Sequence, residues 1–417
     1  MAKVLSLFDG MANGMLAMIE SGIEVERYVA FEYDEESANA QKGRPYGWAA
    51  LTASHNFPFI EQRGDVFKAD FTEFEGFDWL VGGSPCTYWS IAQKNNRETE
   101  ASGMGWELFQ QYVRALHEAK PLYFIYENNK SMAKAIRASI DEAFGFEAVE
   151  INSALLSAQN RQRLYWVGRR NEDGTYSKVT VPLPEDRGIL LKDILEYGCC
   201  VDKDKAYCLK HQAGNARDYF KKHHIQIKFE PLNTTPEGKS QTIKAQYQNT
   251  SAVNICCYKS TYGASGVGEP VRVGCMPSPD GEVKNGQAMQ VYDSVAESLP
   301  CFATPTEWDE NGRPTKARSC ADGKIYTVYE VKDGKITIKD KEYPIKLPDG
   351  FYIIRKLTVR ECMRLQTVPE WYEFPVSDSQ AYKMLGNGWT VLVISHLINC
   401  VMSGKTDDVG KQITLDL

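Results

Sequence analysis

The run Asp78-Trp79-Leu80-Val81-Gly82-Gly83-Ser84-Pro85-Cys86 decides how this chain reads. Trp79, Leu80 and Val81 have the pattern of a short buried strand, and Gly82-Gly83 breaks it. Cys86 therefore falls just past the carboxyl end of a strand, where open α/β sheets place ligands and chemistry. A single cysteine is more often a small buried hydrophobe than a nucleophile. Three other segments change that balance: Tyr126-Glu127-Asn128, the run Gln159-Asn160-Arg161-Gln162-Arg163, and a glycine loop near the N-terminus.

Outward from that strand, residues 1–183 alternate strands and helices. Residues 4–8 are an apolar strand, followed by the loop Asp9-Gly10-Met11-Ala12-Asn13-Gly14. Met15, Leu16, Met18 and Ile19 then recur at helical spacing. Residues 28–31 form a second strand that ends at Glu32. Leu108, Phe109, Tyr112, Val113 and Leu116 give a helix over 106–118 one apolar face, and 122–126 is a strand ending at Glu127. This alternation predicts a Rossmann-like α/β fold, with a mostly parallel sheet covered by helices.

From about 185 to 354 the texture becomes rich in Gly, Lys, Thr and Asn with short strand-like runs. Asp333-Gly334 between two such runs is a hairpin turn. From 355 the helical pattern returns: Thr358 and Glu361 form a capping box, and a last helix runs from about 390 to 402. The expected organisation is a catalytic and cofactor-binding domain at 1–184, a smaller irregular β-rich domain at 185–354, a return to the first domain at 355–402, and a polar tail at 403–417. A length of 417 residues suits two domains.

Composition narrows the classes further. The charged and apolar fractions are those of an ordinary globular protein. The best apolar run, 391–402, is interrupted by Ser395, His396 and Asn399, and the N-terminus lacks a signal-peptide pattern, so the expectation is a cytoplasmic protein with no membrane partner. Eleven cysteines without a Cys-x-x-Cys pair point to reduced thiols and no structural metal. The net charge is −7, but residues 201–250 hold nine Lys/Arg against five Asp/Glu, a local +4 that leaves −11 for the rest. Such a stretch, which includes Lys221 and Lys222, fits a phosphate-binding surface, as it fits a solvated helix face.

The chemistry-bearing residues fall into four groups. The loop after the first strand has Gly-x-x-x-Gly spacing at Gly10 and Gly14, not the Gly-x-Gly-x-x-Gly of dinucleotide sites, which favours a nucleoside without a pyrophosphate. Glu32 is placed to accept ribose hydroxyls and Asp65 an adenine amino group; ordinary turn and surface acids are the competing reading for each. Cys86 is the candidate nucleophile. Glu127, after an apolar strand, is the candidate acid at the same sheet edge, against the alternative of a helix cap. Alternation puts Arg161 and Arg163 on one strand face, two guanidinium forks that suit a base carbonyl, a phosphate or a carboxylate, against the alternative of an exposed basic edge.

In this order the segments resemble the cytosine carbon-5 DNA methyltransferases. Leu7-Phe8-Asp9-Gly10 is similar to the first cofactor motif, and Glu32 and Asp65 to the next two. Ser84-Pro85-Cys86 with Ser90 resembles the catalytic loop, Glu127-Asn128 the Glu-Asn motif, and Arg161-Gln162-Arg163 the Arg-x-Arg motif. Arg355 to Gln366 resembles the segment supporting the recognition domain, and Leu385-Gly386-Asn387-Gly388 the motif closing the cofactor site. The likeness spans roughly 1–170 and 355–400, which leaves 185–354 as the target-recognition region. Phe-Asp-Gly, Ser-Pro-Cys and Gly388-Trp389-Thr390-Val391 are closer to the vertebrate de novo enzymes, whereas the long recognition region resembles bacterial and phage ones. Asn129 stands where the family usually has Val.

The resemblance implies an S-adenosylmethionine-dependent methyltransferase fold and a site for each residue. Cys86, Glu127, Arg161 and Arg163 would be catalytic. Phe8, Asp9, Gly10, Gly14, Glu32, Asp65, Asn387 and Trp389 would hold S-adenosyl-L-methionine; Ser90, Lys221 and Lys222 would contact DNA. The implied partner is double-stranded DNA with one cytosine flipped out. A cognate restriction endonuclease acting separately is admitted, and the enzyme is expected to be a monomer. The rival readings are a tRNA cytosine methyltransferase, a catalytically dead DNA-binding relative, and a nicotinamide oxidoreductase. The long region 185–354 disfavours the first. The presence of the cysteine, the acid and the loop disfavours the second. Nothing in hydride transfer needs Cys86, Glu127 and the arginine pair together, which disfavours the third.

Overall fold

A computed structural model describes residues 1–33, 47–90, 97–196, 205–209, 225–229, 270–274, 289–292, 303–319, 323–338, 341–344 and 349–404. The chain divides into two compact units. Met1–Ile194, Lys205–Gly214 and Val359–Leu417 form the first; Leu195–Asp204 and Asn215–Thr358 form the second.

The strands of the first unit are β1 (Ala2–Leu7), β2 (Val25–Phe31), β3 (Glu61–Gln62), β4 (Trp79–Gly82), β5 (Tyr123–Asn129), β6 (Val149–Asn152), β7 (Gln159–Asn160), β8 (Gln162–Arg170), β9 (Tyr176–Lys178) and β10 (Ala206–Tyr207). Its helices are α1 (Asn13–Glu20), α2 (Trp48–Asn56), α3 (Gly103–Ala119), α4 (Lys134–Phe144), α5 (Leu191–Ile194), α6 (Val359–Leu365), α7 (Asp378–Asn387) and α8 (Val391–Met402). The main sheet has the order β3-β2-β1-β4-β5-β8-β6, with β9 on β8. The first five strands are parallel; β8 runs antiparallel between β5 and β6. Central strands of such a sheet are covered on both faces, which is why β4 is buried at every position. On α3, Phe109, Tyr112 and Leu116 face inward and join Phe124, Tyr126, Phe144 and Trp166 in one core.

Register aligns the working edge of the sheet. Leu7 pairs with Phe31 on one side and Gly82 on the other, and Gly82 pairs with Tyr126. The residues that follow, 8–10, Glu32, 83–86 and Glu127, therefore leave the sheet at one level, the carboxyl edge. The strand expected to end at 126 continues to Asn129, because β8 pairs with it as far as Asn129 opposite Arg163. Antiparallel β8 starts at this edge, so its first residues return to the neighbourhood of Glu127.

The second unit, described by itself, holds an antiparallel sheet in the order β11 (Ile225–Phe229), β19 (Gly350–Arg355), β16 (Ile325–Lys332), β15 (Pro314–Ser319) and β14 (Ala303–Trp308). β17 (Lys335–Ile338) extends from β16 and pairs β18 (Lys341–Pro344); β12 (Pro270–Gly274) and β13 (Met289–Tyr292) form a separate ribbon. Asp333 at φ 52° and Gly334 at φ 68° turn β16 into β17, the left-handed pair that an Asp-Gly hairpin requires. Ala317 and Ile353 anchor a small core. The basic Lys221 and Lys222 lie outside the described residues, as does the tail beyond 404. One apolar segment, Asp378–Met402, has the length and composition of a membrane span. It is two helices, α7 and α8; α8 packs against α1, and Val393, Ile394, Leu397 and Ile398 are in the core.

Candidate active site

Cys86 opens a 3-10 turn, Cys86–Tyr88, right after β4. Its carbonyl accepts the N–H groups of Trp89 and Ser90, which fixes the turn. Ser84, two residues before, is pinned from β5: its hydroxyl meets the Tyr126 hydroxyl at 2.6 Å, and Asn128 Nδ2 donates to its carbonyl at 3.2 Å. Cys86 itself keeps a solvent-exposed face, so a substrate atom can reach the sulfur. Protein packed around the thiol raises its pKa above the ordinary value. Arg163 and Arg161 oppose that rise, while Glu127 and Cys208 add to it.

Glu127 is gripped at both oxygens. Arg163 Nε lies 3.0 Å from Oε1, and the Trp389 indole N–H donates to Oε2 at 2.9 Å. The pairing follows from register. Glu127 sits opposite Tyr165 on β8, so Arg163 is the diagonal neighbour on the same face. Gly82 and Gly83 stand in filled space. A Cβ on Gly82 would lie 2.7 Å from the Leu7 carbonyl, and one on Gly83 2.9 Å from Glu127 Oε2. These glycines let the neighbouring strands and the carboxylate close in.

Arg161 and Arg163 are expected as a pair on one face, and the structure gives them different work. The chain breaks between β7 and β8 at Arg161, whose guanidinium is buried. It donates to the carbonyls of Gly386 at 3.2 Å and Gly388 at 2.8 Å. Three further residues share this task, two of them, Gln159 and Gln366, inside motifs quoted above and one, Ser153, outside any. Gln366 Nε2 donates to the Leu385 and Gly388 carbonyls, Gln159 donates to the Leu365 carbonyl and Gln366 Oε1, and Ser153 meets Thr390 hydroxyl to hydroxyl at 2.8 Å. The returning C-terminal segment is thereby bolted beside the catalytic strands, which is how Trp389 reaches Glu127. A motif at 159–163 and another at 385–390 were visible; that they bind each other was not, since only tertiary structure joins them. Asn129 is buried, donating to Asn128 Oδ1 and accepting from the Ser131 hydroxyl. Cys208, also unforeseen, has its sulfur against both arginines.

At the other end of the edge, residues 8–14 make a tight loop. Phe8 (φ 56°) and Ala12 (φ 62°) adopt the left-handed region although neither is glycine, and Gly10 (φ 63°) lies between them. Backbone held this way costs about 1–3 kcal/mol per residue and clusters at ligand clamps. Open space surrounds the Gly10 α-carbon, and Gly10 N–H donates to Glu32 at 2.9 Å. Gly14 has another reason to be glycine: a Cβ there would lie 2.7 Å from the Tyr28 hydroxyl. Asp9 is turned into the core, accepting from Ser6 and Tyr28 at 2.6 Å each, with its second oxygen buried and unpartnered. Burial raises its pKa to about 6, against the lowering effect of those two hydrogen bonds. Asn13 Oδ1 is likewise buried without a partner, while its Nδ2 donates to the Trp389 carbonyl at 2.6 Å. Asp65 follows the short β3 and caps the Val66–Lys68 turn through the Phe67 N–H. Asn387 is exposed at the end of α7. The Glu32 and Asp65 carboxylates and an approachable backbone at Gly10 suit a ligand that brings hydroxyls, N–H groups and positive charge. They disfavour a dianionic pyrophosphate. The set fits S-adenosylmethionine.

Comparison with known proteins agrees with this chemistry. The profile of the C-5 cytosine-specific DNA methylases matches residues 2–403. The chain is 26% identical to the orphan methyltransferase M.SPRI of Bacillus phage SPR over 95% of its length and 96% of that protein's. It is 24% identical to the Type II methyltransferase M.HgiCI of Herpetosiphon aurantiacus over 95% and 97%. A solved structure of DNMT2 from Spodoptera frugiperda superposes with a TM-score of 0.48 at 16% identity, covering 96% of this chain and all of that one. The match spans nearly the whole chain, and the chain belongs to the C-5 cytosine-specific DNA methylase family.

Proposed function

We propose that this enzyme methylates carbon-5 of a cytosine flipped out of duplex DNA at a specific sequence, through a covalent adduct with Cys86. The observation that carries this reading is the convergence of an accessible Cys86 with a Glu127 clamped by Arg163 and Trp389. Carbon-5 of cytosine is too electron-poor to take a methyl group directly. The Cys86 thiolate adds to carbon-6, and the ring electrons move to make carbon-5 nucleophilic. Glu127 assists as the acid: its carboxyl proton goes to nitrogen-3, which accepts it as the thiolate adds, and an oxygen of the same group accepts from the exocyclic amine. Its clamped oxygens still have lone pairs for this, and the clamp fixes their aim. Arg163 holds the carboxylate and offsets its charge. After carbon-5 is methylated it loses its proton, and the bond from carbon-6 to Cys86 breaks. A base inside the stack cannot meet a sulfur at a sheet edge, so the cytosine must leave the duplex.

Phe8, Gly10, Glu32 and Asp65, with Trp389 beside them, would hold S-adenosylmethionine, and Asp9, Asn13 and Gly14 would support the loop from beneath. When bound, S-adenosylmethionine supplies an electrophilic methyl group. Ser90 stands beside the catalytic turn as a DNA contact. The β-rich second unit would read flanking bases, with lysines such as Lys221 and Lys222 on phosphates. The relatives' names, orphan and Type II, fit an enzyme with or without a cognate restriction endonuclease that works separately. The test is incorporation of labelled methyl into duplex DNA and into tRNA. Labelling of carbon-5 cytosine in DNA is expected; labelling of tRNA alone overturns the reading.

A further inference from the structure

Cys208 lies where the reaction would feel it. β10 pairs with β7 in parallel, with Tyr207 opposite Asn160, so the next residue on each strand brings Cys208 level with Arg161. Leu209 N–H donates to Gln159 Oε1 at 2.8 Å and fixes the chain just beyond. The sulfur accepts from Arg161 Nη1 at 3.2 Å and from Arg163 Nη2 at 3.7 Å. Arg161 cannot move, since Gly386 and Gly388 hold it. Arg163 reaches Glu127 with its Nε and the sulfur with its Nη2.

We propose that Cys208 is a positioning residue of the reaction: its sulfur is the shared acceptor on which Arg161 and Arg163 meet, and it holds Arg163 against Glu127. The proposal rests on the reading of Cys86, Glu127 and Arg163 as the catalytic group. Two guanidiniums side by side repel each other unless an acceptor between them carries negative charge. Burial raises the Cys208 thiol, but Arg161 and Arg163 outweigh it, and its pKa lies below the ordinary thiol value. Among the described residues, the charged and titratable groups around it are Glu127 of β5, Arg163 and Tyr165 of β8, Arg161 between β7 and β8, and Cys86 after β4. An anion at Cys208 also offsets the positive charge felt at Cys86. Without it, Cys86 ionises at lower pH.

The test uses the full-length enzyme with Cys208→Ala and Cys208→Asp. Initial rates of iodoacetamide alkylation at Cys86 are followed by peptide mass across the neutral to alkaline range, beside single-turnover methylation. Cys208→Ala should move the Cys86 alkylation profile to lower pH and slow methylation about tenfold, as Arg163 loses one of three tethers and keeps Glu127 and the Gln162 carbonyl. Cys208→Asp, which keeps an anion in place, should hold the profile near wild type and restore most of the rate. A purely packing role would leave the profile unmoved. An unshifted profile in Cys208→Ala, or identical behaviour of Ala and Asp, overturns the proposal. If Cys208→Ala does not fold, Cys208→Ser against Cys208→Asp makes the same contrast of neutral and anionic groups. If alkylating Cys86 leaves wild-type methylation intact, the catalytic reading itself fails, whatever Cys208 does.

Discussion

Arg161 and Arg163 are two residues apart and of one type, and the structure predicts opposite consequences for their loss. Arg161→Ala removes a buried guanidinium that donates to the carbonyls of Gly386 and Gly388. Hydrogen bonds to a charged group contribute roughly 1.5–3 kcal/mol each, so two of them give a loss of about 3–6 kcal/mol. Gln366 still reaches Gly388, which favours the lower end. For a unit of this size, each 1 kcal/mol shifts Tm by about 2–4 °C, which at that lower end predicts a fall of roughly 6–12 °C. Arg163→Lys keeps a cation beside the largely buried Glu127 carboxylate but loses the fork that aims it, and should lower Tm by only a few degrees while abolishing most turnover. Thermal melts and single-turnover methylation on both variants separate the roles. Arg161→Lys should resemble Arg161→Ala in the melt, because an ammonium lacks the fork that spans two carbonyls. If Arg161→Ala melts with wild type, or if Arg163→Lys is the less stable of the two, the division of labour is wrong.

Further outcomes follow from other contacts. Trp389→Phe removes the N–H donor to Glu127 Oε2 and should cut the single-turnover rate about ten- to a hundredfold, whereas an unchanged rate would show that this bond does not hold the carboxylate for reaction. Glu32→Ala should weaken S-adenosylmethionine binding in calorimetry, and equal affinity would remove Glu32 from the cofactor site. Asp9 has its pKa raised to about 6 by burial, above its unfolded value near 4, so its ionisation opposes folding; the penalty is full above about pH 6 and fades as pH falls toward 4. Asp9→Asn should therefore add up to roughly 2–3 kcal/mol of stability at pH ~7.5 and flatten the profile between pH ~4 and ~6; equal stability of the two proteins at neutral pH would contradict this placement.

The sheet edge was legible in the sequence because apolar runs such as Trp79-Leu80-Val81 and Phe124-Ile125-Tyr126 end in Gly-Gly or in a carboxylate. That pattern located Cys86 and Glu127, and the Asp333-Gly334 turn was equally local. Register was not legible. Only pairing across β4, β5 and β8 shows that Arg163 stands beside Glu127 while Arg161 turns away. Alternation alone put both on one face, because the break in the chain at Arg161 leaves no local mark. The links from Gln159, Arg161 and Ser153 to 365–390 span more than two hundred residues, and Cys208 belongs to a stretch whose composition announces only positive charge. Gly14 reads as part of a ligand loop and Gly82-Gly83 as a strand break, yet each faces a packed atom that sequence cannot name.

The most direct test of the account is covalent trapping on duplex DNA containing 5-fluorocytosine at the target, with S-adenosylmethionine present. Fluorine at carbon-5 cannot leave as a proton does, so an enzyme that attacks carbon-6 stays attached. The account predicts one DNA-linked peptide, carrying the modification at Cys86, formed by wild type and absent in Cys86→Ser, whose hydroxyl is far harder to ionise than a thiol. A trapped peptide at Cys208, or undiminished trapping or methylation by Cys86→Ser, would contradict it.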